Sequence, residues 1–121
     1  MRRVLFCGSR DWTDSNLIRE LLEAMVHDWG RFTVIHGAAS GADTIAGSIA
    51  ESLGLPVEKY PAQWNSFGKR AGYLRNIEMA ATNPDRVVAF QKNESKGTQM
   101  MLDIAEKRGI PRTIYYAQIT H

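Results

Sequence analysis

The sequence predicts an α/β fold: one small three-layer domain built on a parallel five-stranded sheet in the order 3-2-1-4-5. Three observations carry that expectation. Five short apolar runs alternate with four stretches of helical periodicity. The runs are rich in Val, Ile, Phe and Tyr, as strands covered on both faces are. The 121 residues, 44% hydrophobic and 23% charged, match one globular domain whose core needs no disulfide staple.

The elements follow in order. Val4–Cys7 reads as the first strand, ended by Gly8-Ser9-Arg10. A helical stripe of Leu17, Ile18, Leu21, Leu22, Met25, Val26 and Trp29 comes next, with Thr13 or Asp14 to cap it and Gly30 to end it. Thr33–His36 is the second strand. Ile45, Ala46, Ile49, Ala50 and Leu53 form a second stripe, capped by Ser40 and stopped by Gly54. Val57–Tyr60 is the third strand. The connection Pro61–Ala71, about 11 residues, exceeds the roughly 2–6 usual for a strand-to-helix loop, which marks it as functional. A third helix over Gly72–Thr82 turns Leu74, Ile77 and Ala81 inward, and Arg86–Phe90 is the fourth strand. A helix from Gly97 to Arg108, with Met101, Ile104 and Ala105 inside and Gly109 after it, leads to the last strand, Thr113–Tyr116. Right-handed crossovers make this a small Rossmann-like arrangement over residues 1–121. The tail Ala117–His121 carries no signal.

Several classes are excluded early. No apolar run approaches the roughly 20 residues that span a bilayer. The apolar start Val4–Cys7 is too short for a signal peptide, which needs about 7–15 apolar residues. One cysteine, Cys7, forbids an internal disulfide and a multi-Cys zinc site and fits a reducing cytoplasm. Fifteen Lys+Arg against 13 Asp+Glu give +2, too mild a charge to imply nucleic acid. No metal site and no cofactor are expected.

Ligands of open parallel sheets bind beyond the carboxyl ends of the strands, where strand order reverses. Here that point is the crevice between the first and fourth strands, lined by the loops after strands 1 to 4. After strand 1, Gly8 permits a sharp turn, and Ser9, the free amides and Arg10 suit a phosphate. After strand 2, Gly37-Ala38-Ala39-Ser40-Gly41 leaves backbone bare beside a helix N-terminus, whose N–H groups attract anions. Asp43 has two readings: a capping box with Ser40, or a hydrogen bond to a ribose hydroxyl. His36 reads as a satisfied residue at a strand end. Lys69, Arg70 and Arg75 suit a phosphate clamp, with Trp64 and Phe67 placed to stack on a base. Cations at a helix start oppose its dipole, which argues for function at Lys69 and Arg70. After strand 4, Ser95-Lys96-Gly97-Thr98 opens a helix like an anion nest. Neither a P-loop nor a full Gly-x-Gly-x-x-Gly is present.

These residues resemble the YspA-like branch of the SLOG superfamily, which also includes the Lonely Guy phosphoribohydrolases and the DNA-processing protein DprA. The resemblance runs from Val4 to about Tyr115. It rests on Gly8-Ser9-Arg10-Asp11-Trp12, His36–Asp43, Trp64 with Gly68-Lys69-Arg70-Ala71-Gly72, Arg75-Asn76-x-x-Met79 and Gly97-Thr98-x-x-Met101. It implies a site for a nucleotide or nucleotide-derived ligand, such as a nucleoside phosphate or an ADP-ribose-like molecule. Arg75-Asn76 looks like the Arg-Lys pair of Lonely Guy enzymes, and Gly97-Thr98 like their Gly-Thr. Their catalytic Glu falls on Met101. Hydrolysis of an N-glycosidic bond would then draw on Asp43, Arg75 or Glu78. The DprA likeness implies single-stranded nucleic acid as the alternative partner. A homodimer or higher homo-oligomer is implied by Lonely Guy dimers, with Trp12, Trp64, Phe67 and Tyr73 as partly exposed contacts.

Overall fold

The computed structural model describes residues 1–117; the remainder of the tail, 118–121, lies outside the described residues. The strands are β1 (Arg2–Gly8), β2 (Phe32–His36), β3 (Val57–Lys59), β4 (Arg86–Gln91) and β5 (Arg112–Tyr116). They form one parallel sheet in the order β3-β2-β1-β4-β5. The predicted order is therefore the observed one. The helices are α1 (Ser15–Trp29), α2 (Ala42–Ser52), α3 (Trp64–Phe67), α4 (Ala71–Ala81) and α5 (Lys96–Lys107), with a 3-10 turn over Gly68–Arg70.

Two apolar layers sandwich the sheet. On one face Val4, Phe6, Val34, Val88 and Phe90 pack against Ile18, Leu22 and Met25 of α1 and Ala46, Ile49 and Ala50 of α2. On the other, Leu5, Cys7, Ile35, Val87 and Ala89 meet Met79 and Ala80 of α4 and Met101, Leu102 and Ala105 of α5. Alternate residues of β1 thus feed opposite layers, as the pleat of a strand requires. Burial pushes the Cys7 thiol well up from its ordinary value, so it stays a neutral core group. Among the described residues, no helix is long and apolar enough to cross a membrane.

Helix starts show where local pattern and tertiary contact part ways. Asp14 caps α1 as expected, accepting from the Leu17 N–H at 3.1 Å, a contact worth about 1 kcal/mol. Ser40 does not cap α2. The N-cap is Gly41, at φ 79°, with no side-chain cap bond. The Ala42 N–H instead donates to the Ser9 carbonyl at 3.3 Å. A Cβ on Gly41 would press into the carbonyls of Ser9 and Arg10.

Two more expectations change. Ile77 and Ala81 face solvent; α4 turns Ala71, Asn76, Met79 and Ala80 inward. Buried Asn76 is tolerated because its side chain is used: Nδ2 donates to the Gly97 carbonyl at 3.4 Å, and Oδ1 accepts from Arg75. Trp12 is only 3% exposed. Its ring packs 5.4 Å from that of Phe90 and its Nε1 donates to the Asp14 carbonyl. It is core, so it offers no oligomer contact.

Candidate functional site

The switch point between β1 and β4 is closed. Ser9 is buried, its N–H donates to the Phe90 carbonyl, and its hydroxyl donates to the Lys92 carbonyl at 3.0 Å and accepts from the Lys92 N–H at 2.8 Å. Gly8 allows this closure, since a Cβ there would meet the Phe90 carbonyl and Ala42. The N-terminus of α2 is likewise covered by the Ser9 carbonyl. The open space lies to one side, above β1, β2 and β3. It is a hollow of about 210 Å³ lined by Arg10, Gly37, Ala38, Ala39, Ser40, Pro61, Ala62, Trp64 and Arg75.

Arg75 organises this hollow. It rises from α4, half-buried, and donates through Nη1 to the Gly37 carbonyl and through Nε to Asn76 Oδ1 at 2.9 Å. Gly37 is required for that approach, because a Cβ would collide with the guanidinium. Asp43 lies beneath the loop, 5% exposed. Its Oδ2 accepts from the Gly37 N–H at 3.0 Å and the Ala39 N–H at 3.4 Å. There is no capping box with Ser40, and the carboxylate instead holds the backbone of its own loop.

The electrostatics follow from burial. Desolvation pushes Asp43 up to about 6, opposed by the Ala39 N–H, the Arg75 charge, the Gly37 N–H and Arg10. Burial holds Arg75 below its ordinary value; Asp43 opposes that shift and Arg10 adds to it. The charges of two arginines thus act on one buried carboxylate without pairing with it directly. The Arg10 guanidinium lies 5.9 Å from the centre of the Trp64 ring, within cation–π range. The hollow carries surplus positive charge beside an aromatic wall.

The other predicted residues divide. Lys69 and Arg70 sit on the exposed 3-10 turn and do not line the hollow. The strap that carries them, Trp64–Arg70, buries no side chain. Ser95 caps α5: its Oγ accepts from the Thr98 N–H at 3.3 Å and lies 2.9 Å from the Thr98 hydroxyl. With Gly97 held by Asn76, this turn is tied to the site without lining it, and Lys96 faces a separate groove between α4 and α5. Glu78 lines an adjoining hollow of about 300 Å³ that shares Pro61 and Arg75 with the first. Met101 is fully buried in the core. Among the described residues, no three His, Cys, Asp or Glu side chains gather as a metal site would need.

His36 departs from expectation. Its Nδ1 accepts from the Ala38 N–H at 2.9 Å, but its Nε2 is buried without a partner. Sequence reasoning missed this, although Gly47 on the inner face of a helix was a signal. A Cβ there would strike Nε2.

The sequence pattern of the YspA, cpYpsA-related SLOG family matches residues 2–67, the stretch that supplies Arg10, the Gly37–Asp43 loop and Trp64. The Gene 61 protein of Mycobacterium phage D29 is 41% identical over 118 residues, covering 92% of this chain and 94% of the relative. The chain belongs to the YspA, cpYpsA-related SLOG family. An orotate phosphoribosyltransferase of Mycobacterium leprae is 29% identical over 87 residues, 72% of this chain and 47% of the relative. Two solved structures share this fold. DNA processing protein A of Streptococcus pneumoniae superposes with a TM-score of 0.76 at 16% identity, over 99% of this chain and 51% of its own. DNA processing protein A of Helicobacter pylori, described for its single-stranded DNA binding mode, gives 0.70 at 15% identity, over 99% and 67%. This chain spans about half the length of the pneumococcal protein.

Proposed function

We propose that the protein binds a nucleotide or nucleotide-derived ligand, its phosphate held between Arg10 and Arg75. The observation that carries the reading is the pair of guanidinium groups on a hollow of about 210 Å³, while the nearby carboxylate of Asp43, buried beneath the loop, is already engaged by backbone N–H groups. Arginine forks suit phosphate oxygens, and bare backbone at Ala38–Ser40 lets a ligand approach closely. Trp64 supplies a face for a base or ribose. SLOG membership supports the reading, as does a relative named a phosphoribosyltransferase.

The reading is of binding without cleavage. Breaking an N-glycosidic bond in the Lonely Guy manner draws on a carboxylate at the sugar to move a proton or steady the developing charge. Asp43 is committed to the loop backbone, Glu78 lies in the adjoining hollow, and the position of the Lonely Guy Glu is the core residue Met101.

Single-stranded nucleic acid is the second reading, favoured by one feature. Trp64 and Phe67 are half-exposed on the strap that also carries Lys69 and Arg70. Aromatics beside cations are how single strands are bound without sequence preference. The description of the H. pylori neighbour points the same way.

A thermal-shift screen with ADP-ribose, AMP, NAD and cyclic nucleotides tests the first reading. A ligand at 100 times its Kd stabilises by about 2.7 kcal/mol, a readable rise in Tm. The expected result is a rise with at least one of them, lost in Arg75→Ala. No rise with any, alongside oligonucleotide affinity falling several decades per decade of salt, would replace it with the second.

A further inference from the structure

Behind the loop that forms the nucleotide hollow lies a second one, of about 190 Å³, lined by His36, Ala38, Thr44, Gly47, Ser48, Glu51 and Lys59. Ala38 is a wall of both. The chemistry of this rear hollow is set by His36, which is 3% exposed at the end of β2. Because Nδ1 accepts the Ala38 N–H, it carries no proton; the neutral ring must bear its proton on Nε2. That N–H has no acceptor among the described residues. It lies against Gly47, on the wall of the hollow.

A buried donor without a partner is costly, and native structures rarely leave one. Nε2 is closed off against Gly47 as it stands, and an acceptor atom in the hollow would satisfy it once the imidazole turns from Gly47 to meet it. The tautomer also excludes a metal: the lone pair that a cation would need on Nε2 is occupied by the proton. The charged groups facing the imidazole are Lys59, whose charge disfavours a second proton, and Glu51, which favours one. Lys59 and Glu51 pair at 3.3 Å, each side chain more than half exposed. A pair of that kind contributes about 0.2–1 kcal/mol, so Lys59 is free to turn to a bound anion. The Thr44 hydroxyl is already spent on the Ala39 carbonyl at 2.6 Å. Ser48 lines the hollow beside Gly47.

We propose that this rear hollow binds a small oxyanion, a carboxylate or inorganic phosphate, through the His36 Nε2–H, the Ser48 hydroxyl and the Lys59 ammonium. The site stands apart from the nucleotide reading, since it uses none of Arg10, Trp64 or Arg75. Its occupant fixes the imidazole that holds the Ala38 N–H, and so bears on the loop from behind.

The test follows the His36 imidazole nitrogens by NMR at neutral pH, as inorganic phosphate and, separately, acetate are added to millimolar concentration. A saturable movement of the Nε2 signal is expected with at least one anion, and which one identifies the source. Lys59→Gln and Ser48→Ala are surface changes that leave the core intact. Loss of one charged hydrogen bond from Lys59 is expected to weaken the anion about tenfold. Arg10→Ala, which removes a cation from the front hollow, is expected to leave the movement unchanged. No movement with either anion means that water alone satisfies Nε2 and overturns the proposal. So does a movement that survives Lys59→Gln but is lost in Arg10→Ala, which would place the anion in the front hollow.

Discussion

The guanidinium of Arg75 donates to the carbonyl of Gly37, and the space into which a Gly37 side chain would project is filled by that same guanidinium. The two residues come from different layers, and each fixes the other. Gly37 needs no left-handed backbone here. Its role is clearance. Gly37→Ala therefore keeps every charge of the hollow but displaces the arginine. The expected outcome is a loss of nucleotide affinity of about 1.5–3 kcal/mol, the worth of one charge-assisted hydrogen bond, read by calorimetric titration. Arg75→Lys is expected to lose as much, because one ammonium cannot reproduce the guanidinium fork.

Asp43 gives the fold a pH dependence of unusual sign. Its carboxyl rises from an ordinary 3.8 to about 6 in the folded chain. The native state then binds the proton more tightly than the unfolded state does. Stability contributed by this group is greatest below about 4, falls as pH rises through about 6, and is level above that. A two-unit shift corresponds to about 3 kcal/mol. Asn at this position has an oxygen to accept from the Gly37 and Ala39 N–H groups and nothing to ionise. Urea unfolding of wild type and Asp43→Asn at pH 4 and pH 7.5 is expected to show the variant gaining on the wild type at the higher pH. Equal pH dependence in the two would remove Asp43 as the cause.

The sheet and its order were legible because the central strands β1, β2 and β4 carry short apolar runs and each long helix repeats its apolar face. What was not legible came from contacts distant in sequence. Ser40 looked like a cap because serine commonly is one; the Ser9 carbonyl, some thirty residues away, serves the helix start instead. Trp12 follows the turn Gly8-Ser9-Arg10-Asp11 and read as partly exposed, but Phe90 of β4 gives it a core partner. Ile77 fits the helical stripe, but buried Asn76 turns α4 by about one position. The four-residue helix Trp64–Phe67 is too short to leave a periodic signal. Arg10, the Gly37–Ser40 loop and Arg75 were foreseen as neighbours because parallel strands deliver their following loops to one edge. That Ser9 closes the switch point, and shifts the hollow toward β2 and β3, needed coordinates.

Ser9 is the clearest case where a structural role competes with a ligand role. Its hydroxyl both donates to and accepts from the backbone of Lys92, so it pins the turn after β1 to the turn after β4. Ser9→Ala leaves two backbone groups without that partner. A loss of about 1–3 kcal/mol in unfolding free energy is expected, with nucleotide affinity per folded molecule little changed. The opposite result, unchanged stability with binding lost, would make the hydroxyl a ligand contact.

Met101 tests whether a missing carboxylate is all that separates this site from hydrolysis. Its side chain is 1% exposed and packs in one layer with Leu5, Met79, Leu102 and Ala105. A glutamate there would have to ionise among apolar groups or stay protonated without a hydrogen-bond partner, and either is costly. Met101→Glu is expected to lose several kcal/mol of stability, with no release of free base from AMP. Met101→Leu conserves volume and is expected to lose less than about 1.5 kcal/mol. Thermal melts of the two variants and an assay for free base separate the outcomes. A stable glutamate variant that cleaves AMP would mean that position 101 reaches the hollow in solution, contrary to its place beneath the sheet.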